Sequence, residues 1–538
     1  MARRAVALAG VIAVLVSLAA CGGGKQRTAS DRVLRIGDIG EPFSLDPSFA
    51  GGAQEAVLAS NLMDPLVRLS KDSEAAPNLA TSWDMSRDLR KIIFHLSHDG
   101  RWTNGDPLTA HDFEWAWKRA MSPELDAPLA YQFYGISGAR AYHDCKPKNA
   151  DCDALRAQVG VTAVDDFTLE VRLNSPQPWF PVQVAHPAFL PVHRATVEKF
   201  GKAWTDPENI VTSGPFRLAS WRHGASLTLE KNDAWRKADQ VALNRVEFRF
   251  IPDPETRAQA FESGRLEAAR LAGAAPSELK RFKQTEEFAL YAIAGLFYIG
   301  INVQNIPDPN QRLAMALAID HRTLFHPETS EGVPATDFIP PGLPGFDQIA
   351  SDYLPLAADL SRARELMSRV PHPRTKLTLF TNDSPDNRRV LEEAKRAWTR
   401  LGITSTIKIL GFSEYVALLG PPPSGRIDVF ATGWIGDFLD AYNFLELFTC
   451  DSPNNFFGFC DHAYDHLLAR ARSTGNKADR YALYGNADAR LVGPQGLVPL
   501  IPVNWYTDVW LVRRTIRPSF TENALGLVDL AQVKVEAD

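Results

Sequence analysis

Apolar and polar positions alternate at Val33-Leu34-Arg35-Ile36-Gly37, and the run ends in the turn-rich stretches Gly40-Glu41-Pro42 and Leu45-Asp46-Pro47. A period of two closed by turns predicts a first strand. Residues 83–86 and 92–96 flank Arg87-Asp88-Leu89-Arg90, the layout of a hairpin. Tight turns at 100–107 then precede a helix. Thr109 and Asp112 stand three apart, as in a capping box with Asp in the Glu/Gln place, and Phe113, Trp117 and Ala120 keep one apolar stripe through Met121. Residues 161–173 and 216–250 alternate like strands, interrupted by loops such as Ser175-Pro176-Gln177-Pro178-Trp179-Phe180. From Leu296 the texture changes. A strand at 297–302 leads into an amphipathic helix at 311–318 and a Pro/Gly-rich stretch at 338–345, so a domain boundary is expected near 295. A helix at 388–400 followed by strands at 405–410 and 427–434 suggests βαβ units and partly parallel sheet. The class is mixed α/β, and no repeat is visible at periods of 20 to 50 residues.

One apolar run stands apart. Residues 5–20 are uncharged and follow Arg3 and Arg4, ending at Leu18-Ala19-Ala20-Cys21. The run is shorter than the roughly 20 residues of a spanning helix, and small residues crowd the cysteine, the pattern of a cleaved lipoprotein signal rather than an anchor helix. Residues 1–20 are therefore expected to be removed, with Cys21 the acylated first residue of the mature chain. Residues 21–31 read as a flexible polar tether. The expected location is extracytoplasmic, lipid-anchored to a bacterial membrane. The alternative is a short membrane helix with a chance cysteine at its end.

Composition narrows the class further. Cleavage before Cys21 leaves enough chain for roughly three domains of about 150 residues. Apolar residues at 45% and charged ones at 23% are ordinary for a globular protein, and no later stretch has transmembrane length. With 58 basic against 64 acidic residues the formal charge is −6, and no Lys/Arg block resembles a nucleic-acid footprint, so no nucleic-acid partner is expected. The remaining cysteines fall into two local pairs, Cys145/Cys152 and Cys450/Cys460. In an oxidising compartment these invite two short-range disulfides, each contributing about 2.5 to 3 kcal/mol on the chain-entropy estimate. Four reduced thiols are the alternative. A zinc site is disfavoured because neither pair has CxxC spacing and no histidine stands at a matching distance in sequence.

The order of motifs resembles the large periplasmic oligopeptide-binding proteins of ATP-driven importers, the extracellular solute-binding family 5. The resemblance rests on Ser44-Leu45-Asp46-Pro47, Pro77-Asn78-Leu79-Ala80-Thr81-Ser82-Trp83, and Trp102-Thr103-Asn104-Gly105-Asp106-Pro107 running on to Phe113. It continues through Thr212-Ser213-Gly214-Pro215-Phe216, Glu230-Lys231-Asn232-Asp233-Ala234-Trp235, Leu317-Ala318-Ile319-Asp320 and Gly433-Trp434-Ile435-Gly436-Asp437. What it implies is a bilobal periplasmic-binding-protein fold with mixed sheets, two lobes of discontinuous sequence around a cleft, plus an extra domain. Carried over, residues 32–62, 186–294 and 504–538 form lobe I, 63–185 the extra domain II and 295–503 lobe III, with closure around ligand as the expected motion. The partners implied are short peptides and the membrane permease subunits of an ABC importer. The expected state is a monomer without cofactor or catalytic residues.

A peptide of arbitrary sequence offers only its backbone and ends as constant features, so a tolerant receptor pairs the backbone like an added strand and fixes one end by charge. In the family, an aspartate shortly after Gly-Trp holds the ligand's α-ammonium. Gly433, Trp434 and Asp437 match that motif, close to the C-terminal end of a strand, where open α/β sheets present ligands. The backbones of Gly433 and Ile435 are expected to pair with the peptide, as are those of Ala50 and Gly52. Tyr131, Tyr134, Trp505 and Tyr506 occupy segments that line the cleft in relatives. Turn-capping for the aspartate, plain turns for the glycines and core packing for the aromatics are the competing readings. Where some family members carry an arginine three residues before the tryptophan to contact a ligand carboxylate, this chain has Ala431. Arg426 and His321 are the candidates to replace it, both expected at the surface.

Three rival functions stand beside this reading. For an extracytoplasmic hydrolase there is no GxSxG, HExxH, P-loop or GxGxxG motif. Ser277-Glu278-Leu279-Lys280 matches SxxK without its partner motifs and reads as a solvated helix face, and nothing fixes the separation of Asp437 and Asp440 for glycoside chemistry. A binder of a metal chelate or haem finds only His462 and His466 at i, i+4 on a helix expected at 463–470. A lipoprotein that only scaffolds predicts no saturable small ligand.

Overall fold

The first alternation becomes the strand Val33–Asp38, with Leu34 and Ile36 buried and Arg35 turned outward. In the computed structural model it pairs in parallel with Arg245–Phe250 and Ala268–Arg270, near the middle of one large sheet. The structure describes residues 32–146, 151–325, 331–420, 423 and 425–536. The signal segment, Cys21 and the tether expected at 21–31 lie outside the described residues.

Among the described residues that sheet has eleven strands. Its order runs Thr404–Leu410, Lys376–Asn382, Val429–Ile435, Phe288–Ile301, Leu500–Val512, Ala268–Arg270, Val33–Asp38, Arg245–Phe250, Ser226–Lys231, Phe216–Arg222, with Val333–Pro334 added beside Leu500–Val512. The first three of these strands are mutually parallel, with the helix Pro385–Thr399 connecting two of them, which is the βαβ arrangement expected from the helix-strand alternation. Two long antiparallel strands, Phe288–Ile301 and Leu500–Val512, occupy the centre.

These central strands run through the boundary expected near 295. Chain texture does change there, but Phe288–Ile301 runs through the position unbroken, and Leu296 pairs with Trp505 on the neighbouring strand. Burial of both faces lets one strand serve two cores, so a change of neighbours needs no loop. Register shifts between Ala292 and Leu296, and again between Phe297 and Tyr298, mark the crossing.

A separate antiparallel sheet orders Ala80–Met85, Lys91–Leu96, Thr168–Arg172 and Val161–Asp165. The helix Ala110–Ala120 packs on it through Phe113, Ala116, Trp117 and Ala120. Its Thr109/Asp112 capping box is formed, which satisfies two amide donors that the helix start leaves orphaned. The Trp117 indole donates to Phe189 O at 2.8 Å and so ties this helix to the chain that leaves the extra sheet.

The two disulfides join Cys145 to Cys152 and Cys450 to Cys460. His462 Nδ1 lies 4.0 Å from Cys450 Sγ, so a histidine does approach one pair, contrary to the reading from spacing. It does so because Asp461 caps the helix His462–Arg472 directly after the closed loop. That sulfur is already held in the disulfide.

Candidate functional site

The strand Val429–Ile435 pairs along its whole length with Phe288–Ile301, but on its other edge Lys376–Asn382 reaches only Val429 and Phe430. No strand among the described residues covers Ala431 to Ile435 on that side. Gly436 N donates inward to Ala294 O at 2.7 Å, so by alternation the N–H and C=O groups of Ile435 and Gly433 face the open edge. A pocket of about 620 Å3 lies there, lined by Tyr131, Gly433, Trp434, Ile435, Asp437, Asn454 and Tyr506.

Asp437 sits at the end of this edge. Its carboxylate Oδ1 accepts from Tyr131 Oη at 2.8 Å and from Gln132 Nε2 at 3.5 Å, both brought from the extra-sheet segment. Asn443 fixes the loop: its Oδ1 accepts from Asp437 N at 3.0 Å and from Trp434 Nε1 at 3.1 Å. One side chain thereby sets both the aspartate and the tryptophan. Trp179, at the start of the short helix Phe180–Gln183, stacks on Tyr442 and Phe438 at centroid distances of 4.3 and 5.7 Å and clamps the loop.

The charge at this point is a single carboxylate. Burial raises the Asp437 pKa above the usual aspartate value, while hydrogen bonding by Tyr131 and Asn443 opposes the rise. Glu446 lies behind it. Burial first, and the Asp437 charge second, push Glu446 up to about 8, so it is neutral at pH 7. Burial pushes the Tyr506 phenol up to about 12, which keeps that wall neutral as well.

Gly433 has a physical reason to be glycine. A Cβ there would overlap the Tyr506 hydroxyl, and one at Gly295 would lie 2.7 Å from Tyr506 Cδ2. The ring therefore lies flat across two strands and forms a wall of the pocket. Trp505, one residue earlier, points to the opposite face, as strand alternation requires, and packs 6.0 Å from Phe346. Tyr134 turns to Arg140 and His143 rather than to the pocket. Ala50 is buried at the end of the turn Pro47–Phe49, and Gly52 caps the helix Ala53–Leu62. Neither borders the pocket. The structure thus gathers Asp437, Gly433, Trp434, Ile435, Tyr131 and Tyr506, and leaves Ala50, Gly52, Tyr134 and Trp505 apart.

Ala431 is buried, and its carbonyl accepts from Tyr415 Oη at 2.7 Å, so no cation stands at that position. Arg426 is exposed, as expected. His321 is not. It is fully buried, burial pushes its pKa down to about 4, and neither ring nitrogen has a hydrogen-bond partner among the described residues. Its backbone N donates to Leu356 O at 2.9 Å, so the returning chain lies against it. Instead, Arg389 borders a second cavity of about 820 Å3, which shares Tyr506 as a wall with the first. His462 and His466 lie exposed on their helix and border neither cavity. Ser277 and Lys280 are exposed on the helix Pro276–Phe282.

Gln132, Asn443, Asn454 and Arg389 were not singled out from sequence. Asparagine in a loop carries no pattern of its own. The one cue was local: Asn454 lies inside the loop that the Cys450/Cys460 pair closes.

The family model described as bacterial extracellular solute-binding proteins, family 5 Middle, matches residues 74–456. The chain belongs to that family. It is 30% identical over 521 residues to the dipeptide-binding protein DppE of Bacillus subtilis, covering 94% of this chain and 92% of that one. Among solved structures it resembles the unliganded open form of the periplasmic murein tripeptide-binding protein MppA, with a TM-score of 0.81 and 27% identity over 94% of this chain and 97% of that one. Against another structure of Escherichia coli MppA, with the same identity and with 94% and 98% covered, the TM-score is 0.69. The fold is that of the family 5 periplasmic binding proteins, whose members are binding proteins and not enzymes. The solute-binding protein has no helix, among the described residues, long and apolar enough to cross a membrane.

Proposed function

We propose that this solute-binding protein captures short peptides in the cleft beside Asp437 and delivers them to the permease of an ABC importer, working as a monomer held at a bacterial membrane through acylated Cys21. The observation that carries the reading is the uncovered edge at Gly433 and Ile435 ending on a half-buried carboxylate. An extended peptide adds to such an edge through its amide groups, and the carboxylate takes its α-ammonium. Names of relatives that include dipeptide-binding and murein tripeptide-binding proteins support a peptide cargo. The second cavity, entered past Tyr506, receives the distal part of the cargo, where Arg389 supplies the cation that Ala431 lacks. Lobes made of 32–62, 186–294 and 504–538 on one side and 295–503 on the other close about the strands Phe288–Ile301 and Leu500–Val512, with 63–185 riding beside the cleft.

The test is calorimetric titration with a tripeptide and its N-acetylated form. Asp437→Asn weakens the free-amine peptide by about 2 to 5 kcal/mol, the usual cost of removing one partner of a desolvated charge pair, and leaves the acetylated peptide almost unchanged. Equal losses for both peptides would take Asp437 out of the site. Native mass spectrometry of undenatured protein reads the cargo class: a ladder of mixed peptide masses supports the proposal, and a single haem or metal-chelate mass replaces it.

A further inference from the structure

At the far end of the large sheet from Asp437, three strands present a polar face bordered by Ala260 of the helix Pro254–Glu262. Leu227, Leu229, Val246 and Phe248 point into the core, so their alternates point outward. Pairing sets these in rows: Arg245 beside Glu230 beside Arg217, and Arg249 beside Ser226 beside Arg222. Arg35 on the next strand extends the face, and Arg265 closes its rim around an open trough of about 740 Å3.

The charge on this face is one-sided. Glu230 is shared by Arg217 at 2.7 Å and Arg245 at 2.9 Å, Glu247 takes Arg249 at 3.3 Å, and Glu267 takes Arg35 at 3.0 Å. Arg222 and Arg265 meet only the hydroxyls of Ser226 and Ser263, and among the described residues neither has a carboxylate partner. Six arginines against three glutamates give the face a formal +3 on a chain of −6. An excess of guanidinium forks arrayed on a flat surface suits planar or phosphate oxyanions.

The same face lies where the chain comes in from its N-terminus. Arg32 O accepts from Asn244 N at 2.9 Å and Arg245 N at 3.4 Å, which places residue 32 at the end of the arginine rows. Residues 21–31 can span at most about 40 Å of extended chain, so an acylated Cys21 keeps this part of the molecule close to the bilayer. Attraction between arginines and anionic headgroups acts only within about a Debye length, and the anchor supplies that proximity.

We propose that the arginine-rich face of the strands Phe216–Arg222, Ser226–Lys231 and Arg245–Phe250 docks on anionic phospholipid headgroups, orienting the anchored receptor on its membrane. The docking lies at one end of the sheet order and leaves the pocket at Asp437 uncovered. It rests on the reading of Cys21 as a lipid anchor.

The experiment uses unacylated protein beginning at Gly22, sedimented with vesicles of phosphatidylcholine or of an equal mixture with phosphatidylglycerol. The expected result is at least tenfold stronger partition onto the anionic vesicles in 50 mM salt, lost in 500 mM salt. Arg222→Glu with Arg265→Glu abolishes it, Arg222→Lys with Arg265→Lys retains it, and peptide affinity stays the same in both variants. Equal partition onto both vesicle types, or unchanged partition of the Glu variant, overturns the proposal. Capture by soluble polyphosphate without vesicle binding overturns it too and assigns the face to an anionic polymer. Because the assay contains no acyl chain, its failure removes the docking face alone, while the mass of the mature N-terminus reports separately on Cys21.

Discussion

Tyr131 and Asp437 are 306 positions apart in the chain, and their side chains meet at 2.8 Å. The phenol donates to the carboxylate and joins the extra-sheet segment to the strand edge at Gly433. Because that hydrogen bond favours the charged carboxylate and burial disfavours it, the pair sets the pH at which the site can hold a cation.

The sign of the pH dependence follows. Asp437 must be ionised to hold an ammonium, and its free-state pKa is raised above 3.8. Affinity for a free-amine peptide is therefore complete well above that raised value and falls as pH drops through it. N-acetylated peptide shows no such fall. Tyr131→Phe removes the opposing hydrogen bond and moves the midpoint to higher pH. Titrations between pH 4 and 8 read all three, and an unshifted midpoint in the variant would separate Tyr131 from the titration.

Gly433→Ala tests the close approach of Tyr506. The added methyl meets the phenol oxygen, and the ring has to move toward the pocket. Overpacking of this kind costs about 1 to 3 kcal/mol of stability. Cargo affinity drops with it, since the displaced ring occupies cargo space. Denaturant melts and calorimetry on the same variant check both, and Gly433→Ala with wild-type affinity would place the cargo elsewhere.

The Cys450–Cys460 bridge closes the loop that carries Asn454. Replacing both cysteines with alanine lowers stability by about 2.5 to 3 kcal/mol through a less restricted unfolded chain. Affinity changes by less than threefold, because Asn455 Nδ2 still bonds Thr449 O at 3.0 Å and Phe459 O at 2.6 Å and holds the loop shut. A large loss of affinity with little loss of stability is the contrary outcome.

Asp337 and Asp488 form a buried carboxyl pair away from the pocket. Burial pushes Asp337 up to about 6, and burial with the Asp337 charge holds Asp488 well above the usual range. Both pKa values exceed the unfolded one, so the pair's contribution is whole below about pH 4 and is lost as pH rises through the folded values. Between pH 8 and 5 the melting temperature rises, and Asp488→Asn flattens part of that slope. Identical slopes for the two proteins, measured at four pH values, count against the pair.

Local signals were read correctly where neighbours in sequence are neighbours in space. The capping box at Thr109 and Asp112, the alternation at Leu34 and Ile36, and the two short cysteine loops each bring together residues no more than ten positions apart. The Gly433, Trp434 and Asp437 motif was visible for the same reason. Period-two alternation alone also fixes that Trp505 and Tyr506 face opposite ways, though not which of them meets the cargo.

Tertiary structure decided the rest, because burial and pairing depend on partners hundreds of residues away. His321, a surface residue by its sequence surroundings, is fully buried, and the change of texture near 295 falls inside a strand whose Leu296 pairs with Trp505. The open edge beside Gly433 exists only because the strand Lys376–Asn382 stops pairing at Phe430. The sequence by itself determined which residues repeat, cap and turn; the fold alone decided which backbone edge stays unpaired and which carboxylate meets a phenol there, since desolvation and hydrogen bonding are properties of the assembled neighbourhood.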